Sequence, residues 1–158
     1  MPGIKRLDIG ASCKKEGWVT CDIRPGCDHV CSAIKVSSLG TFDEIMASMV
    51  LEHLRPWEIP IALKEWYNTL NTGGVIHIQV PDYEDIHRLS IKNPIEAFRR
   101  LFGGDLAQNG PDDCSAQEHR WAFTKETLTT YLLEAGFDKI EVNNKLAVGI
   151  IHAKAWKE

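Results

Sequence analysis

The chain has 158 residues, of which 44% are hydrophobic and 25% charged, a composition ordinary for one globular domain with a single core. A net charge of −4 provides no basic surface for a phosphate backbone, so no nucleic-acid partner is expected. No apolar stretch approaches the roughly 20 residues that span a bilayer, and the N-terminus has no signal-peptide core. We therefore expect one domain over residues 1–158, cytoplasmic and without a membrane partner.

The N-terminal part of the chain predicts three strands joined by short connections. Ile4–Ile9 and Trp18–Asp22 are the first two, and Asp28–Cys31 is at most a very short third. Only GASCKKEG lies between the first two strands, fewer than the dozen or so residues of a usual parallel crossover. Any helix there is a single turn, and the first crossovers are shortened.

A glycine and an acid follow these two strands in a pattern typical of nucleoside cofactors. Gly10 comes directly after the first strand, where a residue without a side chain lets the backbone approach a ligand. Asp22 ends the neighbouring strand, where a carboxylate can bind a ribose diol. The same pattern also occurs in purely structural strand-loop-strand units, so the residues alone leave both interpretations open.

The cysteines raise the question of a metal site. The chain has five, an odd number, and four lie close together near the N-terminus: Cys13, Cys21, Cys27 and Cys31. Structural zinc sites usually bring their ligands in close pairs, whereas these spacings are wide and place Cys21 inside a predicted strand. We therefore interpret them as reduced thiols in a reducing compartment and predict no metal.

The middle of the chain alternates strand and helix. Phe42–Ser48 is predicted as the fourth strand and Val75–Val80 as the fifth. A helix is predicted between them, beginning near Pro56 or Pro60 and stopped by the glycine pair 73–74. Its apolar stripe has helical spacing and consists of Leu63, Trp66, Tyr67 and Leu70.

The segment 82–122 interrupts this alternation. Helices are predicted at Tyr83–Ile91 and Pro94–Phe102, followed by the loop-forming stretch GGDLAQNGPDD. Loops with such a composition are mobile and often carry function. We expect this segment to be the most mobile part of the chain and to form the substrate side of a cleft.

The C-terminal part predicts a helix followed by a hairpin. Thr124 can cap the helix and Gly136 can end it. Phe137–Val142 and Leu146–Ala155 then flank a polar turn at residues 143–145, which indicates an antiparallel hairpin.

Four segments in this order resemble the successive motifs of compact class I S-adenosylmethionine-dependent methyltransferases of the type 11 kind. They are LDIG followed by CDI, FDEIMASMVLEHL, LKEWYNTLNTGGVIHIQVPD and HRWAFTKETLTTYLLEAGF, and together they cover most of the chain. The resemblance implies an α/β, Rossmann-like sheet of strand order 3-2-1-4-5-7-6 with an antiparallel C-terminal hairpin. It also implies that S-adenosyl-L-methionine lies over the carboxyl ends of the first strands.

The resemblance assigns residues to the cofactor site and suggests others for catalysis. The positions that match cofactor contacts are Asp8, Gly10, Ala11, Asp22, Ile23, Ser32, Ala33, Ser48 and Met49. His53 belongs to the LEH motif after the fourth strand, and His119 with Arg120 precedes the last helix. Either histidine is a candidate base, and Arg120 is a candidate ligand for an acidic acceptor.

The expected activity is methyl transfer to oxygen or nitrogen of a small molecule. Methyl transfer needs in-line positioning of acceptor and methyl group, and a base where the acceptor must lose a proton. One alternative is a degenerate member that keeps the fold as a binding or partner module, favoured by Ser12 and Ser32 where the family has a glycine and an acid. A dinucleotide-dependent oxidoreductase is disfavoured, because a full G-x-G-x-x-G motif is missing.

One face of the sheet is expected to be polar. The first and fifth strands alternate apolar with polar residues, although parallel strands covered on both faces are usually apolar throughout. We predict that Arg6, His77 and Gln79 share the face that the shortened crossovers leave thinly covered.

Overall fold

Seven strands form one sheet in the computed structural model, which describes residues 3–103, 118–143 and 149–158. They are β1 (Arg6–Ile9), β2 (Val19–Asp22), β3 (His29–Val30), β4 (Phe42–Ser48), β5 (Leu70–Pro81), β6 (Lys139–Asn143) and β7 (Ile150–Trp156). Their spatial order is β3-β2-β1-β4-β5-β7-β6; pairing is parallel from β3 to β5 and antiparallel on both sides of β7. The predicted fold and strand order are confirmed. Residues 144–148, where the hairpin turn and the start of the last strand were predicted, lie outside the described ranges.

The α-helices of the described residues all follow β4. They are α1 (Ile59–Thr69), α2 (Tyr83–Lys92), α3 (Pro94–Phe102) and α4 (Lys125–Ala135). The Asp82 carboxylate accepts from the Glu84 amide at the start of α2, and the Thr124 hydroxyl accepts from the Thr127 amide at the start of α4. Such caps satisfy backbone donors that have no partner inside the helix. Gly136, with a φ of 106°, ends α4 as predicted.

Helix α1 ends before the glycines that were expected to stop it. Its last residue is Thr69, and Leu70 is already extended and pairs with Phe42 of β4. Gly73 and Gly74 therefore lie inside β5, next to an irregularity in its pairing. A Cβ on Gly74 would lie 2.8 Å from the Asn71 carbonyl oxygen, so this glycine serves close backbone packing and not the end of a helix.

The connections after β1 and β2 contain no helix. Residues 10–18 and 23–28 form turns and bends, and a 3₁₀ turn at Val36–Leu39 is the first helical element. The predicted shortening of these crossovers is confirmed. Residues 104–117, which contain most of the predicted GGDLAQNGPDD loop, lie outside the described part of the chain.

The hydrophobic core lies on one face of the sheet. In register across it are Leu7, Ile45, Ile76 and Ala155, followed by Ile9, Ala47, Ile78 and Ala153. Helices α1 and α4 supply the apolar side chains packed against this face, with Trp66 and Leu128 among those fully buried. Burying a large apolar side chain contributes about 1.5–3 kcal/mol, so this single layer of helices supplies the main stabilisation.

The opposite face carries the polar residues of the same strands. Arg6, His77 and Gln79 lie on it together, as predicted. The Glu44 carboxylate joins the first two, with Oε2 at 2.8 Å from Arg6 Nε and Oε1 at 3.5 Å from His77 Nε2. Gln79 accepts a hydrogen bond of 2.8 Å from the Ser48 hydroxyl. The polar side chains of this face thus pair with one another along the sheet.

Candidate active site

A cavity of about 360 Å³ opens at the carboxyl ends of β1, β2 and β4. The strand order reverses between β1 and β4, and open α/β sheets bind ligands at such a switch point. The volume lies in the range of small-molecule sites. Of the predicted cofactor residues, those that line the cavity are Gly10, Asp22, Ile23, Ser32, Ala33 and Met49.

Gly10 shapes the floor of this cavity. Its φ of 75° lies in the left-handed region, and its amide donates a 2.8 Å hydrogen bond to the Cys21 carbonyl, which links the ends of β1 and β2. A Cβ at this position would lie 2.5 Å from Val50 Cγ2. Only glycine combines this backbone conformation with the close approach of Val50.

Asp22 presents a carboxylate that is buried and already paired. Its Oδ1 accepts hydrogen bonds from the Arg24 amide at 2.8 Å and from Arg24 Nε at 3.2 Å. The Arg24 side chain is half exposed and lines the same cavity. Oδ1 can therefore accept from a ribose hydroxyl only after the guanidinium moves away, a competition that the sequence pattern did not predict.

Met49 is the one non-glycine residue with a positive φ, 56°, among those that the structure describes. It follows β4, it is 38% exposed, and its amide donates a 2.8 Å hydrogen bond to the Gln79 carbonyl. A bulky side chain in this backbone region is strained, and such strain concentrates at functional sites. Met49, one of the predicted cofactor residues, is thus held in a strained backbone conformation.

The loop after β3 is fixed by a tryptophan of the core. Trp66 Nε1 donates a 2.8 Å hydrogen bond to the carbonyl of Ala33, the neighbour of Ser32. The buried helix α1 therefore positions the loop that carries the predicted cofactor residues Ser32 and Ala33.

Three predicted cofactor residues do not line the cavity. The Asp8 carboxylate lies on the polar face of the sheet, 3.1 Å from Lys15 Nζ. The Ser48 hydroxyl is also on that face, and the Ala11 carbonyl accepts a hydrogen bond from the Cys27 thiol. Ser12, which stands where the family has a glycine, is exposed and likewise does not line the cavity.

The other wall of the cavity carries His53 and Arg120. The segment 118–121 is fixed to this wall, because the Arg120 amide donates a 2.6 Å hydrogen bond to the Glu52 carbonyl. His53 Nδ1 lies 3.0 Å from the Glu118 carbonyl oxygen, and the His53 and His119 rings meet edge to face with centroids 5.0 Å apart. The structure brings all three predicted catalytic residues together, although His119 does not line the cavity itself.

Both histidines are suited to accept a proton. Burial lowers the pKa of His53, and the charges of Arg120 and Arg24 lower it further, against the opposing effect of the Glu118 carbonyl. Burial also lowers the pKa of His119, with His53 acting in the same direction. Both rings are therefore neutral near pH 7.

Glu52 is a site residue that the sequence reasoning missed. The sequence analysis placed it in the LEH motif without giving it a chemical role, yet it is 1% exposed and neither carboxylate oxygen has a hydrogen-bond partner among the described residues. His53 Nε2 lies 3.9 Å from Oε1, beyond hydrogen-bonding distance. Burial raises the pKa of Glu52 to about 8, which its own nearby amide opposes only in part. The sequence signal for its burial was an acidic residue between the apolar residues of the stretch VLEHL.

No described cysteine belongs to a group of three potential metal ligands within mutual reach. Cys21 is buried, and burial raises the pKa of its thiol. Among the described residues, the only group of three potential metal ligands within mutual reach is Glu52, His53 and His119, whose ligand atoms lie within 4.8 Å of one another.

Within the described ranges of the chain, no helix has both the length and the apolar character that crossing a membrane requires.

Several solved structures that share this fold are described as methyltransferases. A SAM-dependent methyltransferase from Archaeoglobus fulgidus superposes with a TM-score of 0.66 at 19% identity, over 98% of this chain and 87% of that one. The Burkholderia thailandensis 1,6-didemethyltoxoflavin-N1-methyltransferase was solved with bound 1,6-didemethyltoxoflavin and S-adenosylhomocysteine. It superposes with a TM-score of 0.62 at 14% identity, over 98% of this chain and 72% of that one. Human N-acetylserotonin methyltransferase in complex with SAM superposes with a TM-score of 0.56 at 17% identity, over 96% of this chain and 39% of that one. At these identities the likeness establishes the fold, that of class I methyltransferases.

The chain belongs to the methyltransferase domain family, whose family model matches residues 8–142. A search of curated protein sequences found no match. Family and fold confirm the predicted class, an enzyme that uses S-adenosyl-L-methionine, and the oxidoreductase alternative is wrong. The roles of individual residues remain predictions.

Proposed function

We propose that this enzyme transfers a methyl group from S-adenosyl-L-methionine to an oxygen or nitrogen atom of a small molecule. One observation carries the proposal: a single cavity has strand-end residues with cofactor-binding chemistry on one wall and neutral histidine with Arg120 on the other. A methyltransferase needs these two walls in one site, because the acceptor must lie in line with the methyl group.

The cavity residues fit the cofactor. Gly10 lines the cavity at the switch point, where its lack of a side chain admits Val50, and the buried Asp22 Oδ1 is an acceptor for ribose hydroxyls once Arg24 is displaced. Ala33 and Ser32 bound the cavity on the same side. When bound, S-adenosyl-L-methionine supplies an electrophilic methyl group.

The acceptor wall supplies a base and a positive charge. A carbonyl oxygen can only accept a hydrogen bond, so the contact of His53 Nδ1 with Glu118 places the proton on Nδ1 and leaves the lone pair on Nε2. His53 can then take the proton that an O–H or N–H acceptor loses. Arg120 attracts an acceptor that carries negative charge.

Binding of S-adenosylhomocysteine to an Asp22→Asn variant tests the cofactor wall. By calorimetry we expect the variant to bind at least tenfold more weakly than wild type, since a ribose diol loses its charged acceptor. Asp138→Asn is the matched control, because Asp138 lies immediately before the outer strand β6 and does not line the cavity.

Two results would contradict the proposal. If the Asp22→Asn variant bound S-adenosylhomocysteine as tightly as wild type, the cofactor ribose would not be bound by Asp22. A wild-type protein that binds no S-adenosylhomocysteine would favour the partner-module alternative, in which the fold persists without catalysis. The cytoplasmic location and the absence of a nucleic-acid partner stay predictions from the sequence.

A further inference from the structure

Two rings and one carboxylate converge beside the acceptor wall of the cavity. Glu52 and His53 are neighbours in a 3₁₀ turn after β4, and His119 comes from the segment before α4. One ligand atom from each residue lies within 4.8 Å of the other two. The contact is therefore made by the fold, across a long separation in sequence.

The carboxylate of this group has no partner that explains its burial. Glu52 is 1% exposed, and both of its oxygens lack a hydrogen bond from any described residue. Buried charges are normally paired, hydrogen-bonded or bound to a metal, because removing a carboxylate from water is costly. A buried acid aimed at two histidines points to a cation between them.

Both rings are oriented as in metal-binding histidines. His53 Nδ1 lies 3.0 Å from the Glu118 carbonyl oxygen, and His119 Nδ1 lies 3.0 Å from that of Arg100. Because each carbonyl only accepts, each Nδ1 carries the proton and each Nε2 keeps its lone pair. A backbone carbonyl on the other ring nitrogen is the usual device that fixes a metal-binding imidazole.

We propose that Glu52, His53 and His119 bind a divalent transition metal ion. Two imidazoles and one carboxylate suit zinc and Fe(II), and such sets leave coordination positions open for water or a substrate. Hard ions such as Mg²⁺ prefer oxygen ligands and are not expected here.

The geometry requires a small closure around the ion. Metal bonds of about 2.0–2.2 Å hold ligand atoms roughly 3.3–3.6 Å apart in a tetrahedral site, whereas His53 Nε2 and Glu52 Oε1 are 3.9 Å apart. The positive charges of Arg24 and Arg120 act on His53 and therefore repel a cation bound to it. The Arg24 charge is already paired with the Asp22 carboxylate, which reduces its share of this repulsion. On binding the metal Glu52 loses its proton, and the resulting carboxylate charge offsets that repulsion.

The site deepens the proposed function, on which this further step rests. His53 also lines the cavity, so an open coordination position faces the space assigned to the acceptor. When His53 Nε2 binds the ion, His53 no longer acts as the base; instead, a hydroxyl or amine bound at the open position loses its proton more easily than a free one. The metal would thus select acceptors with an oxygen or nitrogen ligand atom.

Titration of the full chain with Co²⁺, followed by visible absorption, tests the site. We expect one saturable ion with d–d bands and no thiolate-to-cobalt charge-transfer band, displaced by Zn²⁺. Glu52→Gln and His119→Gln should each weaken binding at least tenfold. His29→Gln, which removes an exposed histidine of β3, should leave binding unchanged.

Several results would overturn the metal site. The first is that the wild-type protein shows no saturable binding of Co²⁺. The second is a thiolate-to-cobalt charge-transfer band, which would assign the ion to the cysteines. The third is that the Glu52→Gln variant binds Co²⁺ with the same affinity as wild type. If a variant fails to fold by circular dichroism, X-ray absorption on the zinc-loaded wild type decides between imidazole and sulfur ligands. Calorimetry with S-adenosylhomocysteine is independent of these measurements, so failure of the methyltransferase proposal would be seen separately.

Discussion

The two faces of the sheet are stabilised in different ways. The apolar face is covered by α1 and α4, and its side chains are almost completely withdrawn from water. On the polar face the Arg6 and Glu44 side chains are 37% and 25% exposed, and they pair along the sheet. Ion pairs with this exposure contribute little, whereas each buried apolar side chain contributes kilocalories. The fold therefore depends on one layer of helices, and the second face is free to stay polar.

Two tryptophans on opposite faces offer the largest test of this difference. Trp66 is fully buried in α1, while Trp18 is half-buried with its ring beside Arg6 and Lys15. Trp66→Ala should lower the free energy of unfolding by about 3–5 kcal/mol, because it leaves a cavity in the core. The matched variant Trp18→Ala should cost only about 1 kcal/mol.

Denaturant unfolding of both variants measures these losses. Similar losses would mean that both faces carry a core, and the comparison would fail. An intact Trp66→Ala protein should also hold the Ala33 loop less firmly, since the indole hydrogen bond to its carbonyl is gone.

The Arg6–Glu44 pair tests the polar face with a smaller effect. Its two atoms are 2.8 Å apart, but both side chains are partly exposed, so solvent and salt screen the attraction. A double-mutant cycle with Arg6→Ala and Glu44→Ala should give a coupling below about 1 kcal/mol that shrinks at high salt. A large coupling that is insensitive to salt would show that this face is dry.

The smallest expected effect is a pH dependence from the stacked rings of His77 and His152. Burial lowers the pKa of both, and the Lys154 charge acts in the same direction. Below the ordinary histidine pKa of about 6.5 the unfolded chain then binds more protons than the folded one, so stability falls as the pH is lowered through that value. A pH series of unfolding experiments should show a flatter slope for His77→Gln. An unchanged slope would contradict the shift assigned to His77.

The strand order was predictable from the resemblance to class I methyltransferases. The polar face was predictable because alternation marks Arg6 and His77 as polar positions of their strands, and the shortened crossovers indicate which face is thinly covered. The end of α1 was predicted wrongly, because the glycine pair was interpreted as a helix stop when Leu70 is already held in the sheet by Phe42. Tertiary pairing overrides a local signal there.

The candidate site was less predictable, because its contacts join distant segments or depend on side-chain direction. The sequence identified Asp22 but not its pairing with Arg24, which needs the side-chain orientations after β2. It identified His53 and His119 separately, yet nothing local shows that their rings touch or that Glu52 is buried between the strands and segment 118–121. Spatial clusters of this kind require the folded chain.

The missing crossover helices have a consequence for how the chain folds. Parallel strands usually pair slowly, since a long crossover must be closed before their contacts form. Here β1, β2 and β3 are joined only by residues 10–18 and 23–28, so closing those loops costs less chain entropy than a full helical crossover. By contrast, β7 must find β5 across the whole segment that carries α2, α3 and α4. We expect the N-terminal strands to pair early and the antiparallel hairpin, which completes the sheet, to dock last.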